Sequence, residues 1–205
     1  MTARDAILAA LGRPKAAAEI DATAAALLVA PERPLVDPDD IPAIFVARLT
    51  QPGVGGTVDR IESIKDLPGA IGAYLAAHSL PPTLYLPPDP RLDACDWRGF
   101  TLRDTVASDE NAGLAIVRCG VAETGSLVFE TSPVAPMLPN FLVLHHIVVV
   151  DDIVAQLEDA DAPGDAPRAH YWVTGVSGTT DIEGSYVRGA HGPRFLHVIM
   201  VGTPV

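Results

Sequence analysis

Two patterns of apolar positions divide this chain. Up to about residue 40 the spacing is helical. Ile7, Leu8 and Leu11 share one face of a helix over Ala3–Leu11 that Gly12 stops, and Ala16–Val29 is alanine-rich with a weaker apolar face. Pro31, Pro34, Pro38 and Pro42 then impose an extended or turn-rich path, because proline fixes φ and has no N–H to donate. Residues 1–40 read as a helical, proline-rich arm lying on the following domain or on a neighbouring subunit. From 41 to 205 helix and strand patterns alternate. A helix through Ile44, Phe45 and Leu49 ends before Pro52-Gly53; Thr57–Ile61 is a strand, Ile71–His78 a helix and Thr83–Leu86 a strand. Residues 87–104 carry no clear period. Leu114–Val117 and Ser126–Glu130 are strands around the turn Ala122-Glu123-Thr124-Gly125. Ile147–Val150 is a strand feeding a helix start at Asp151-Asp152, where carboxylates complement the helix dipole. After a loop at Ala160–Pro167 come strands at His170–Thr174 and Phe195–Val201.

Several of these strands are continuous β-branched runs without polar alternation, as expected when both faces of a sheet are covered. With helices between them, the pattern predicts an α/β fold with a mainly parallel sheet. At 205 residues the chain suffices for one such domain plus the arm. Apolar residues make up 48% of it and aromatic ones 5%, so the core is expected to be mainly Ala, Val, Ile and Leu. A net charge of −12 argues against nucleic acid, which needs a basic footprint, and against an anionic membrane surface. Cys95 and Cys119 form no C-x-x-C pair, so the chain offers neither a thiolate zinc knuckle nor four iron–sulfur ligands; both read as buried small side chains. The acidic start Met1-Thr2-Ala3-Arg4-Asp5 does not resemble a signal peptide, and Phe141–Val150 is too short to span a bilayer. A cytoplasmic protein is the expectation.

Candidate chemistry concentrates in three places. Thr174 to Glu183 is rich in glycine and hydroxyl groups. Read as a loop at the carboxyl end of a strand, it offers backbone N–H groups and the side chains of Ser177, Thr179 and Thr180 to an anion, with Gly175 and Gly178 giving close approach. The same residues also read as a cap on a helix through Asp181-Ile182-Glu183, whose two carboxylates diverge. Second, Glu123 at the tight turn Ala122–Ser126 is partly desolvated, which suits a general base or nucleophile as well as a self-bonded turn residue, with Thr124, Gly125 and Ser126 beside it. Third, His191 lies in Gly189-Ala190-His191-Gly192-Pro193, where small residues admit a ligand. His145 and His146 point to opposite faces of their strand, and His197 reads as a core histidine. No local spacing supports a metal site from His146, His191, Asp181 and Glu183.

Three blocks together resemble the lactate-utilisation protein C family (LutC, the LUD domain): Ala122-Glu123-Thr124-Gly125-Ser126-Leu127; His146-Ile147-Val148-Val149-Val150; and Gly175 to Glu183 running into Gly189–Pro193 and Leu196-His197-Val198-Ile199. The resemblance implies a three-layer α/β/α sandwich similar to the NagB/RpiA/CoA-transferase-like fold. It also implies a part in oxidising L-lactate to pyruvate beside partner proteins that carry the iron–sulfur clusters, with no cofactor on this chain. Carried over to this sequence, the motif positions are Glu123, Thr124, Gly125, Ser177, Thr179, Asp181, Glu183, His191 and Gly192. Val176 stands where the family has Pro, Thr180 where it has Ala and Ser126 where Thr is common. The stretch before Leu138-Pro139 lacks an Arg and a Ser that members often carry.

These readings lead to an accessory subunit of a lactate-oxidising system that binds a small anion or partner subunits at Gly175–Pro193, with a homo-oligomer left open. The alternatives are a free-standing sugar-phosphate isomerase-like or acyl-CoA transferase-like enzyme using Glu123, and a ligand-sensing protein without chemistry of its own.

Overall fold

The structure, a computed structural model, describes residues 2–11, 15–28, 32–107, 110–160 and 167–202. Gly12, Pro31 and most of the loop expected at 160–167 lie outside these. The chain divides into two compact units, Met1–Pro34 and Leu35–Val205. The first contains helices α1 (Ala3–Ala10) and α2 (Ala17–Leu27). Thr2 caps α1 by a reciprocal pair of bonds: its hydroxyl accepts from the Asp5 N–H, and the Asp5 carboxylate accepts from the Thr2 N–H at 2.9 Å.

In the second unit, α3 (Ile41–Leu49) begins with Pro42 in its first turn, where a missing N–H costs nothing. Next come β1 (Gly56–Ile61), α4 (Leu67–Ala77), β2 (Thr83–Tyr85), β3 (Thr101–Arg103) and β4 (Ala112–Ile116). They are followed by β5 (Cys119–Val121), β6 (Ser126–Glu130), α5 (Pro139–Leu142), β7 (His145–Val150) and β8 (Ile153–Val154). Strands β9 (His170–Val173), β10 (Gly178–Thr180), β11 (Tyr186–Arg188) and β12 (Phe195–Val201) complete the described elements. Six strands form a parallel sheet in the order β1-β12-β7-β4-β2-β3. A second sheet runs β8-β5-β6-β9, antiparallel except between β5 and β8, and β10 and β11 pair as a separate hairpin.

Period-two alternation sends each apolar run to both sides of the parallel sheet. His146, Val148 and Val150 of β7, with Leu196, Val198 and Met200 of β12, face Phe45 and Leu49 of α3 and Leu127 and Phe129 of the second sheet. Ile147, Val149 and Ile199 face Leu67, Ile71 and Leu75 of α4. The α/β layering read from the uninterrupted runs is therefore present, with one flank made of helix and the other of helix and small sheet together. Among the described residues no helix is long and apolar enough to cross a membrane. Cys119 is buried and Cys95 half-buried, both as free thiols; burial raises the pKa of each, and the Cys95 thiol donates to the Ile64 carbonyl.

Three local expectations are corrected. Asp151-Asp152 starts no helix: the Gly120 and Ala122 N–H groups donate to the Asp152 and Val154 carbonyls, which draws β8 alongside β5. The turn at 122–125 joins β5 to β6 rather than β4 to β6, because Val117 and Arg118 carry the chain out of the parallel sheet into the second one. The segment Asp181–Glu183 is not helical either. Asp181 Oδ1 accepts from the N–H groups of Glu183 and Ser185, both at 2.9 Å, and Gly184 takes a positive φ. That closes a hairpin in which Thr179 and Thr180 of β10 pair with Val187 and Tyr186 of β11.

Candidate functional site

The loop after β9 and the turn between β5 and β6 meet through a line of hydroxyl groups. The Ser126 hydroxyl is buried and lies 2.7 Å from that of Thr124 and 2.6 Å from that of Thr174. Two glycines bring backbones together at the same place. Gly125 has φ 71°, and a Cβ there would stand 2.6 Å from the Leu49 nitrogen, so the turn packs directly on the end of α3. Gly175 has φ 99°, and a side chain would collide with the Val54 carbonyl, the same carbonyl that accepts from the Val176 N–H at 3.0 Å. Thr124, Gly125, Ser126 and Gly175 are thus gathered around the α3–β1 connection. Of the residues that complete this centre, Thr174 opens the hydroxyl-rich stretch read from sequence, whereas Leu49 and Val54 were not singled out by motif, since a backbone carbonyl and an ordinary Leu leave no mark in sequence.

The anion nest expected at Ser177–Thr180 is not formed. The Val176 N–H is committed to Val54, the Ser177 N–H donates to the Pro193 carbonyl at 2.9 Å, and Gly178, Thr179 and Thr180 lie in the hairpin ladder. Nor does the loop follow a strand of the parallel sheet, because β9 belongs to the second sheet. Instead Ser177 is knitted to the segment that enters the amino end of β12. Its carbonyl accepts from the Gly189 N–H at 2.8 Å, and a Cβ on Gly192 would stand 3.2 Å from the Ser177 hydroxyl oxygen. His191 is exposed beyond this knot, on a groove of about 430 Å³ whose other walls are Glu110, Asn111 and Phe141–Leu144.

The four residues expected to carry chemistry do not converge among the described hydrogen bonds and ion pairs. Glu123 Oε2 accepts from the Leu157 N–H at 3.2 Å and its own N–H donates to the Ala155 carbonyl, so it holds the connection after β8. Asp181 closes the hairpin turn, Glu183 is exposed within it, and His191 faces the groove. Glu110, on that groove, has a buried carboxylate with Oε2 3.1 Å from Arg103 Nε, at an angle unsuited to a hydrogen bond.

Two buried histidine clusters lie outside the motifs' functional reading. On the α4 face, His145 Nδ1 is 2.9 Å from the Tyr74 hydroxyl, His145 stacks on Phe195, and Tyr74 stacks on His197 at 4.1 Å between ring centres. His197 Nδ1 is 2.8 Å from the Thr57 hydroxyl and its Nε2 is 3.4 Å from Asp59 Oδ2. On the opposite face, His146 stacks on Phe129 and contacts Asn140, whose amide donates to the Tyr171 hydroxyl at 2.8 Å. Burial lowers the pKa of His145, with a contribution from nearby His78, and of His146, each to about 4; it pushes Tyr74 up to about 12. His146 is thereby remote from surface loop chemistry, and among the described residues no group of His, Cys, Asp and Glu is arranged to hold a metal.

Comparison with known proteins finds relatives of the part of the chain that holds these residues. The family model described as the LUD domain matches residues 103–201. A protein of Deinococcus radiodurans named Lactate utilization protein C is 33% identical over 105 residues, 45% of this chain and 48% of that protein. An uncharacterized protein of Neisseria meningitidis serogroup B, NMB1437, is 29% identical over 98 residues, 44% of this chain and 42% of that one. The matched regions thus span about half the length of these curated relatives. The crystal structure of a DUF162 family protein from Deinococcus radiodurans superposes with a TM-score of 0.58 at 19% identity, covering 82% of this chain and 100% of that one, a likeness of fold. The matched residues run from the last residue of β3 to the last of β12 and take in every candidate site residue: the segment 103–201 of this chain is similar to the LUD domain.

Proposed function

We propose that the chain serves lactate utilisation, as an accessory subunit that works beside iron–sulfur proteins in oxidising L-lactate to pyruvate. The observation that carries this reading is the 33% identity to the protein named Lactate utilization protein C. The Gly175–Pro193 segment is the surface we assign to a small anion or to partner subunits. The knot of Ser177, Gly189, Gly192 and Pro193 supports it, since it holds His191 out at the mouth of a groove on a rigid base. The engagement of Glu123 with the Leu157 N–H favours a structural part for that carboxylate over a base or nucleophile. Affinity purification of the tagged full chain from its native host, grown on lactate, tests the assembly. The expected result is an iron–sulfur protein recovered in stoichiometric amount; recovery of the chain alone would contradict it.

A further inference from the structure

Between Thr131 and Val150 the chain has no Asp, Glu, Lys or Arg. The second part of this stretch is the buried strand β7. The first part is not buried: Val134, Met137, Leu138, Phe141, Leu142 and Leu144 all lie open, Leu138 to 64% and Phe141 to 42%. Scattered exposed apolar side chains are ordinary; six along one short segment mark a surface made for contact. The exposure does not come from looseness. Asn140 pins α5 from beneath through Tyr171 and His146, and Phe141 packs on Tyr171 at 5.6 Å between ring centres. A groove of about 730 Å³ lies on one side, between Pro133, Met137, Leu138 and Arg168, and the His191 groove lies on the other.

Charge identifies the occupant. The chain carries −12 overall, yet among the described residues that line the two grooves the exposed charged side chain is cationic. Arg168 lines the first groove. Arg194 meets Gly189 at the second through its Cα, Cβ and Cγ, while its guanidinium lies over the Phe195 ring, 5.8 Å from the centroid. Neither guanidinium meets a carboxylate among the described residues, while Glu110 in the second groove is buried and faces Arg103. We propose that this face docks a partner protein through a segment of apolar side chains flanked by carboxylates. The proposal rests on the reading of the chain as a subunit that works with partners, and names the surface and the chemistry of the contact. Two copies meeting through this face would offer Arg168 no exposed carboxylate from the residues lining either groove. A lipid surface would leave the grooves unfilled, and anionic lipid repels a chain of this net charge.

The test uses the full chain and two fluorescent helical peptides with the same leucine stripe, one flanked by Glu and the other by Lys. Fluorescence anisotropy is expected to show the Glu-flanked peptide binding about tenfold more tightly. Leu138→Asp should abolish that binding, and Arg168→Glu should reverse the preference; both positions are exposed, and thermal melts check that each variant folds. Equal binding of the two peptides, no binding of either, or undiminished binding to Leu138→Asp would overturn the proposal. So would sedimentation showing a dimer that Leu138→Asp splits, or phosphatidylserine vesicles binding the native chain and not that variant. The lactate role is read separately, by growth of a deletion strain: failure of the docking test with growth still impaired removes the surface and leaves the role.

Discussion

Gly175 shows how one residue joins the two motif regions. Its φ of 99° is one that L side chains rarely adopt, and the space a Cβ would need is occupied by Val54. Replacement by Ala imposes both backbone strain and displacement of the α3–β1 connection. A loss of about 3 kcal/mol in stability is expected, measured by urea unfolding. Gly184, where a Cβ meets nothing within 4 Å, should lose only about 1 kcal/mol on the same change. Two of the buried histidines, His145 and His146, set a pH dependence. Their folded pKa values of about 4 lie below the ordinary 6.5, so between these values the unfolded chain binds protons that the folded chain does not. Stability is therefore complete above pH 6.5 and falls as the pH drops toward 4, by about 1.4 kcal/mol per pH unit for each histidine. Unfolding midpoints recorded between pH 7 and 4.5 check the sign; a flat profile would mean that His145 and His146 titrate normally. Glycine and histidine were both visible in the sequence as motif members. Their partners Val54, Tyr74 and Asn140 were not, since nothing local distinguishes a Val whose carbonyl receives a loop.

At the scale of elements, what could be read from sequence followed from burial. Strands β4, β7 and β12 are buried on both faces, so their apolar runs announce them, and helices α3 and α4 follow from the spacing of Phe45, Leu49, Ile71 and Leu75. Strand β3 is three residues long and exposed throughout, which leaves no alternation to detect. In β5, Gly120 occupies the middle position because the Phe45 ring fills the space of a side chain, and the strand signal is lost with it. The Ser177–Glu183 segment was ambiguous for a chemical reason. Ser, Thr and Asp hydrogen-bond to nearby backbone both when they cap a helix and when they close a turn, and only the partner strand Tyr186–Arg188 decides between the two. Asp181 is accordingly the closing residue of a hairpin, accepting two N–H groups. Asp181→Ala should speed amide exchange throughout β10 and β11 while changing global stability by less than about 1 kcal/mol. If exchange in the hairpin is unchanged, the turn does not depend on that carboxylate.

At the scale of the molecule, the unit Leu35–Val205 organises the residues into a packed centre and an accessible rim. The centre is the hydroxyl line of Thr124, Ser126 and Thr174 on the α3–β1 connection; the rim runs from His191 across the apolar face of α5. Of the catalytic candidates inferred from sequence, Glu123 and Asp181 hold their own connections through their carboxylates, whereas Glu183 and His191 are exposed. The most direct measurement is growth on L-lactate as sole carbon source of a strain lacking this gene, compared with growth on glucose. A role in lactate use predicts slow or absent growth on lactate alone, restored by the native chain and by Glu123→Gln, which keeps an acceptor for the Leu157 N–H, but not by Leu138→Asp. Normal growth of the deletion strain on lactate would contradict it.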